Sequence, residues 1–164
     1  MFSYDVFTGI RADDYPLALG QVKSLWVEDL PLFSNLANVS ALLKLCLPRT
    51  NWVGFYLWEE AKQRLVLGPF QGMPACTHIG LGKGVCGAAV SRKRTQLVPD
   101  VHLFPGHIAC DSSSLSEIVV PILRAGEVLG VLDVDSAEKS RFDGTDQSFL
   151  EEAVSAMIPL WPRD

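Results

Sequence analysis

The chain has 164 residues, 48% of them apolar, with 14 basic and 19 acidic residues. This length is typical of one domain with a continuous core, and the net charge of −5 argues against nucleic acid, which is bound by stripes of lysine and arginine. The first residues lack the pattern of a secretory signal, and no apolar run reaches the roughly 18 residues of a membrane span. We therefore expect a soluble, cytoplasmic protein with neither nucleic acid nor a membrane as a partner.

Helical patterns occur at both ends of the chain. Apolar residues recur every three or four positions over about 13–47, which indicates two helices separated near Pro31 and ended before Pro48. Near the C-terminus, "FDGTDQSFLEEAVSAMIPLW" places a capping aspartate or threonine ahead of an amphipathic pattern. It predicts a closing helix over about 144–161.

Strand patterns fill the middle of the chain, over about 51–135. The alternating "NWVGFYLW" and the later "RLVLGPF" favour a hairpin, and the glycine-bounded "GKGVCGAAVSRKR" predicts a short helix before the short strand "TQLV". "EIVVPILRAGEVLGVLDVDS" predicts two strands, 117–123 and 127–134, joined by a turn. Helices at both ends of an antiparallel sheet indicate an α+β fold.

One long segment shows neither pattern. About 18 residues between Pro99 and Ser116 form a loop that compact domains seldom carry without a purpose. Cys110 lies near its end, in "HIACD". We interpret the segment as a binding loop or lid.

The four cysteines divide into two kinds. Cys46 lies on the apolar stripe of a predicted helix and is interpreted as a buried thiol, whereas Cys76, Cys86 and Cys110 lie beside loops or glycine-rich turns. Zinc is not expected, because the gaps within this trio are long and the chain has no CxxC or HxxxH pair. Buried structural thiols and redox or nucleophilic thiols both stay open, and the loop positions favour the second. Cys86, near a helix start, would have its thiolate favoured by free N–H groups.

Acidic and aromatic side chains supply a candidate pocket. Glu117, Asp133 and Asp135 fall at the ends of the last two strands, which the hairpin turn brings to one end of the sheet. Solvated acids are the simpler interpretation, but Asp133 interrupts an apolar run, and a buried carboxylate needs a partner or a perturbed pKa. Trp52 and Tyr56 share one face of the first strand, so either could form a pocket wall.

Five segments together carry a family resemblance. "NWVGFYL", "LVLGPFQGMPAC", "GKGVCGAA", "VPDVHLFPGHIACDSSSLSEIVVPI" and "GVLDVDS" closely resemble the free methionine-(R)-sulfoxide reductases, which are stand-alone GAF-domain enzymes. The resemblance runs from about Asn38 to Leu150. It implies a single GAF domain over 1–164, with a six-stranded antiparallel sheet, flanking helices and a closed pocket. It also implies reduction of free L-methionine-(R)-sulfoxide, and not of the oxidised residue inside proteins.

The same resemblance implies roles for particular residues. Cys110 matches the nucleophile, Cys76 a resolving thiol, and Cys86 a second resolver or an alternative nucleophile. A sulfenic acid on the nucleophile would condense with a second thiol to a disulfide, and thioredoxin, supplied by NADPH and thioredoxin reductase, would reset the enzyme without a bound cofactor. The implied substrate-binding residues, any of whose acids could protonate the sulfoxide oxygen, are Trp52, Tyr56, Glu117, Asp133 and Asp135.

Two other functions stay open. A GAF domain that senses a small molecule without catalysis is the main alternative, although it leaves the loop cysteines unexplained. A dimerisation module is a third. The terminal helices resemble those that pair GAF domains, so we expect a homodimer.

Overall fold

The computed structural model describes residues 7–108 and 112–162. Its centre is one antiparallel sheet, in which the strands lie in the order β3-β2-β1-β6-β5-β4. The strands are β1 (Trp52–Glu59), β2 (Arg64–Gln71), β3 (His78–Gly80), β4 (Gln96–Val98), β5 (Ser116–Arg124) and β6 (Glu127–Ser136). The six-stranded antiparallel α+β fold is therefore confirmed, although the strand pattern alone did not predict the short β3.

Helices cover both faces of the sheet. They are α1 (Arg11–Leu25), α2 (Leu32–Cys46), α3 (Gly84–Arg92) and α4 (Gly144–Met157). The last helix, α4, ends at Met157, whereas the sequence predicted a helix as far as about 161. The chain continues as a 3₁₀ turn that contains Pro159. Within the described ranges, no helix combines the length and the apolar character needed to cross a membrane.

The alternation along the strands divides the core into two layers. Val53 and Phe55 of β1 pack with α1, α2 and α4 on one face of the sheet. Trp52 and Tyr56 of the same strand pack with α3 on the other face. This separation follows from the two-residue period of a strand, as predicted for the β1 aromatics. The α3 face is the one that carries the candidate site.

Asp143 fixes the start of α4. Its carboxylate accepts hydrogen bonds from the backbone N–H groups of Thr145 at 2.8 Å and Asp146 at 3.2 Å. The Asp146 carboxylate accepts one in return from the Asp143 N–H at 2.9 Å, which completes a capping box. Arg11 of α1 donates to the same carboxylate at 2.6 Å, so the cap also links the two ends of the chain. The hydrogen bond from Arg11 lowers the pKa of Asp143 to about 2.

We expect Asp143→Ala to lower the free energy of unfolding by about 1 to 2 kcal/mol, because helix N–H groups lose their acceptor. Asp143→Asn keeps an acceptor oxygen, and we expect it to cost less than half as much, since the half-exposed ion pair contributes little. Urea unfolding measures both values, and equal losses would show that the charge stabilises more than the cap. Because folding lowers this pKa from 3.8, the stabilisation is present above that value and is lost as the pH falls toward 2.

Candidate active site

A cavity lies on the α3 face, between the start of α3, the adjoining ends of β5 and β6, and the loop that precedes β5. It holds about 380 Å³ of atom-free space, part of which opens to solvent. Its described lining residues are Tyr56, Ile79, Gly84, Val85, Cys86, His107, Ile108, Ser114, Glu117, Asp133 and Asp135.

The pairing of β5 with β6 brings three acids to this cavity. Glu117 lies opposite Asp135, and Asp133 lies two residues before Asp135 on the same strand. Residues two apart on a strand point to the same face, so all three carboxyl groups project toward α3. The structure therefore brings together the three acids that the sequence singled out.

Cys86 lies directly against two of these acids. Its thiol donates to Asp133 Oδ2 at 3.3 Å, and its Sγ lies 4.0 Å from Glu117 Oε1. Burial raises the pKa of Cys86 well above its usual value, and the charges of Asp133 and Glu117 raise it further. The expectation that the start of the helix favours the Cys86 thiolate is therefore wrong, because burial and the acids outweigh the N–H groups.

Burial favours the protonated forms of Glu117 and Asp133. Burial raises the pKa of Glu117 well above its usual value, and the nearby Asp133 acts in the same direction. Burial also raises the pKa of Asp133, although hydrogen bonds from Cys86 and Glu117 oppose the change. The cavity therefore contains a carboxylic acid that can donate a proton at neutral pH.

His107 is a cavity residue to which the sequence assigned no role. Its Nε2 lies 3.9 Å from Glu117 Oε2. Burial lowers the pKa of His107, and the neighbouring His102 lowers it further, so the ring is neutral at neutral pH. Its place in the "HIACD" motif, three residues before the predicted nucleophile, was the available signal.

Cys76 lies in a loop that a hydrogen bond from Tyr56 links to the cavity. It lies between β2 and β3 and is disulfide-bonded, whereas Cys46 and Cys86 carry free thiols. Tyr56 lines the cavity and donates its hydroxyl hydrogen to the Cys76 carbonyl at 3.1 Å. Trp52 stacks on Tyr56 with ring centroids 5.8 Å apart and donates its indole N–H to a carbonyl of the same loop. Of the two predicted wall residues, Tyr56 faces the cavity, and Trp52 supports it from behind.

Of the other two cysteines, the structure describes Cys46 but not Cys110. Cys46 is 1% exposed, which confirms its interpretation as a buried core thiol. Cys110, the predicted nucleophile, lies outside the described residues. The described segments on either side of it both reach the cavity, through Ile108 and Ser114.

Comparisons with known proteins identify the family of the chain. Residues 39–157 match the family model of the GAF domain. The chain is 47% identical to the free methionine-R-sulfoxide reductase of Escherichia coli K12, over 82% of this chain and 80% of the relative. It is 50% identical to the Saccharomyces cerevisiae enzyme of the same name, over 72% and 69%. An X-ray structure of the Neisseria meningitidis free methionine-R-sulfoxide reductase in complex with its substrate is 43% identical, with a TM-score of 0.87, covering 98% of this chain and 93% of that chain.

Gly54 has no side chain, and Phe70 and the Trp52 ring occupy the space beside it. It lies opposite Asp133 in the sheet, and a Cβ at this position would lie 2.3 Å from Phe70 Cβ and 2.6 Å from the Trp52 ring. Real side chains do not approach so closely. A side chain at position 54 must therefore displace the wall behind the cavity.

We expect Gly54→Ala to lower the free energy of unfolding by about 2 to 3 kcal/mol, because the Trp52 ring must move. The matched control is Gly20→Ala in α1, where an added Cβ meets nothing within 4 Å. There the higher helix propensity of alanine should raise stability by about 0.5 to 1 kcal/mol. Urea unfolding with Trp fluorescence compares the two, and a Gly54→Ala protein as stable as the wild type would contradict the close packing.

Proposed function

The chain belongs to the GAF-domain family and, within it, to the free methionine-R-sulfoxide reductases, and from this premise we propose that it reduces free L-methionine-(R)-sulfoxide to L-methionine. One observation carries the proposal: the acid-lined cavity is joined to a disulfide-bonded cysteine. Tyr56 provides the link, since its ring lines the cavity and its hydroxyl contacts Cys76. An acid and an exchangeable sulfur are the two reactants that sulfoxide reduction requires.

We assign protonation of the sulfoxide oxygen to the acid cluster. The S–O bond is polarised toward oxygen, so a proton donated to that oxygen makes the sulfur electrophilic. Glu117 is the first candidate, because it is buried in the cavity wall beside Asp133 and its pKa is raised. Asp133 and Asp135 line the same cavity and are the other candidates.

We assign the nucleophilic attack to Cys110. Its thiolate attacks the sulfoxide sulfur, the oxygen passes to the cysteine, and methionine leaves with its sulfur reduced by two electrons while Cys110 becomes a sulfenic acid. The Cys76 thiol then attacks this sulfenic sulfur, and water leaves as a disulfide forms. The disulfide bond at Cys76 and the free thiols of Cys46 and Cys86 support this pairing.

Cys86 is the weaker choice for the first nucleophile. The attacking species is a thiolate, and the raised pKa of Cys86 keeps this thiol protonated. Its contacts with Asp133 and Glu117 assign it instead to the acid cluster. A protonated thiol there serves as a hydrogen-bond donor to a carboxylate.

The two charged groups of a free amino acid have matching partners in the cavity. Its ammonium group is attracted by carboxylates, of which Asp135 is the most exposed in the cluster. Its carboxylate suits the start of α3, where Gly84, Val85 and Cys86 border the cavity and the helix dipole favours an anion. A methionine sulfoxide inside a protein lacks both charges, so the proposed substrate is the free amino acid.

The proposal includes an external reductant. A dithiol of the thioredoxin class reduces the disulfide to two thiols and is itself oxidised to a disulfide. NADPH and thioredoxin reductase then restore the dithiol. We propose, for the same reason, that the protein acts in the reducing cytoplasm. A homodimer formed through the terminal helices also stays a prediction.

Substrate choice tests the proposed function. Free and N-acetylated methionine sulfoxide, each as the R and the S epimer, are supplied with thioredoxin, thioredoxin reductase and NADPH. We expect NADPH consumption with the free R epimer, and rates at least about a hundredfold lower with the other three, because unmatched charges and the wrong epimer leave buried polar groups unpaired. Binding of the free R epimer without any consumption would instead identify a sensor, and faster turnover of the acetylated compound would contradict the proposed recognition.

Single substitutions assign the thiols. In one turnover without reductant, we expect Cys110→Ser to release no methionine, whereas Cys76→Ser still releases about one equivalent and then stops. Cys86→Ser should also release about one equivalent, since its thiol does not attack first. Cys46→Ser is the matched control, a buried cysteine outside the cavity, and should behave as the wild type. Release by Cys110→Ser but not by Cys86→Ser would reverse the assignment.

A further inference from the structure

Three different donor atoms converge at one point of the cavity wall. The Cys86 Sγ and one carboxylate oxygen each from Glu117 and Asp133 all lie within 4.8 Å of one another. A tetrahedral zinc ion, with Zn–S near 2.3 Å and Zn–O near 2.1 Å, holds such atoms about 3.6 Å apart. The separations of 3.3 Å and 4.0 Å from Sγ to the two oxygens bracket that value. Small side-chain movements would therefore complete the geometry.

The protein leaves part of this cluster unpartnered. Asp133 is only 6% exposed, and its Oδ1 has no hydrogen-bond partner among the residues that the structure describes. A buried carboxylate oxygen without a partner is unfavourable, and an external cation is one way to satisfy it. Asp133 is one of the residues that line the cavity.

The charge around the cluster also favours a cation. The described lining residues include three acids but neither lysine nor arginine. His107 is the basic residue among them, and its Nε2 lies 3.9 Å from Glu117 Oε2. His107 therefore lies beside the cluster, while the three donor atoms that converge are those of Cys86, Glu117 and Asp133.

We propose that Cys86, Glu117 and Asp133 form a binding site for a thiophilic divalent cation of the zinc class, with a water molecule as the fourth ligand. One sulfur and two carboxylate oxygens are a donor set that suits Zn²⁺ better than Mg²⁺ or Ca²⁺, which prefer oxygen alone. Binding displaces the thiol proton and any carboxyl proton into solvent. The site goes beyond the proposed reductase activity but shares its acids, so the cation and the free amino acid exclude each other. Free zinc would then inhibit the protein reversibly.

Cobalt provides a direct test, because tetrahedral Co²⁺ bound to a cysteine sulfur gives visible d–d bands and a near-ultraviolet sulfur-to-cobalt band. The full chain is used in its disulfide form without reductant, in which Cys76 is not available as a ligand. We expect Co²⁺ titration to produce both sets of bands at about one ion per chain, and Zn²⁺ to remove them by displacement. Absence of the sulfur-to-cobalt band would overturn the proposal.

Variants identify the ligands. We expect Cys86→Ser to abolish the sulfur band, and the near-isosteric Asp133→Asn to weaken the affinity at least about tenfold. Cys46→Ser, which removes the other free thiol, should leave the titration unchanged. Circular dichroism verifies folding, and Asp133→Asn decides the test if Cys86→Ser does not fold. A sulfur band that persists in Cys86→Ser, or an unchanged affinity in Asp133→Asn, would overturn the assignment.

Competition tests the overlap with the substrate site. Saturating free L-methionine-(R)-sulfoxide should raise the apparent Kd for Zn²⁺ at least about tenfold, because both ligands need the same acids. An unchanged Kd would overturn the exclusion. The cobalt spectra need no turnover, so they stand even if the reductase assays fail, and a positive reductase assay does not by itself support the metal site.

Discussion

Burial of two carboxyl groups and a thiol against one another is the constraint on which the site depends. Glu117, Asp133 and Cys86 lie in the wall of the cavity, and the described lining residues include no lysine or arginine to neutralise them. Charged forms are costly in such surroundings, so burial raises the pKa of all three groups. A buried acid with a raised pKa can donate a proton to a polar ligand, and the negative charge left after the proton is lost favours a cation in its place.

The antiparallel register maintains this arrangement. Glu117 and Asp135 are direct partners on β5 and β6, and Asp133 follows on the same face. A slip of one residue would turn these acids into the layer where Ile118 and Val134 now pack against the helices. Burying carboxylates there would cost far more than the present arrangement, so the apolar core on the opposite face fixes the position of the acids. Stability of the fold and chemistry of the site therefore depend on the same strand pairing.

Sequence patterns predicted what depends on local periodicity. The terminal helices, the two hairpins and the buried Cys46 follow from repeating apolar positions, and the shared face of Asp133 and Asp135 follows from strand parity. The sign of the Cys86 pKa shift was not predictable in this way, because the groups that set it lie 31 and 47 residues away along the chain. The strand β3 was not predicted because its sequence "HIG" has one apolar residue between a histidine and a glycine, whereas the equally short β4 contains "LV". The roles of the cysteines came from the family resemblance and not from spacing.

The hydrogen bond between Tyr56 and the Cys76 backbone does not depend on the oxidation state of the Cys76 sulfur. Tyr56 holds the backbone carbonyl of Cys76 and does not need its sulfur, so the bond can persist whether that sulfur is a thiol or half of a disulfide. Trp52 fixes the same loop through the carbonyl of Met73. A resolving cysteine benefits from such an attachment, because its backbone stays in place while its sulfur exchanges partners. Trp52 and Tyr56 thus anchor the loop that carries Cys76, and Tyr56 also lines the cavity.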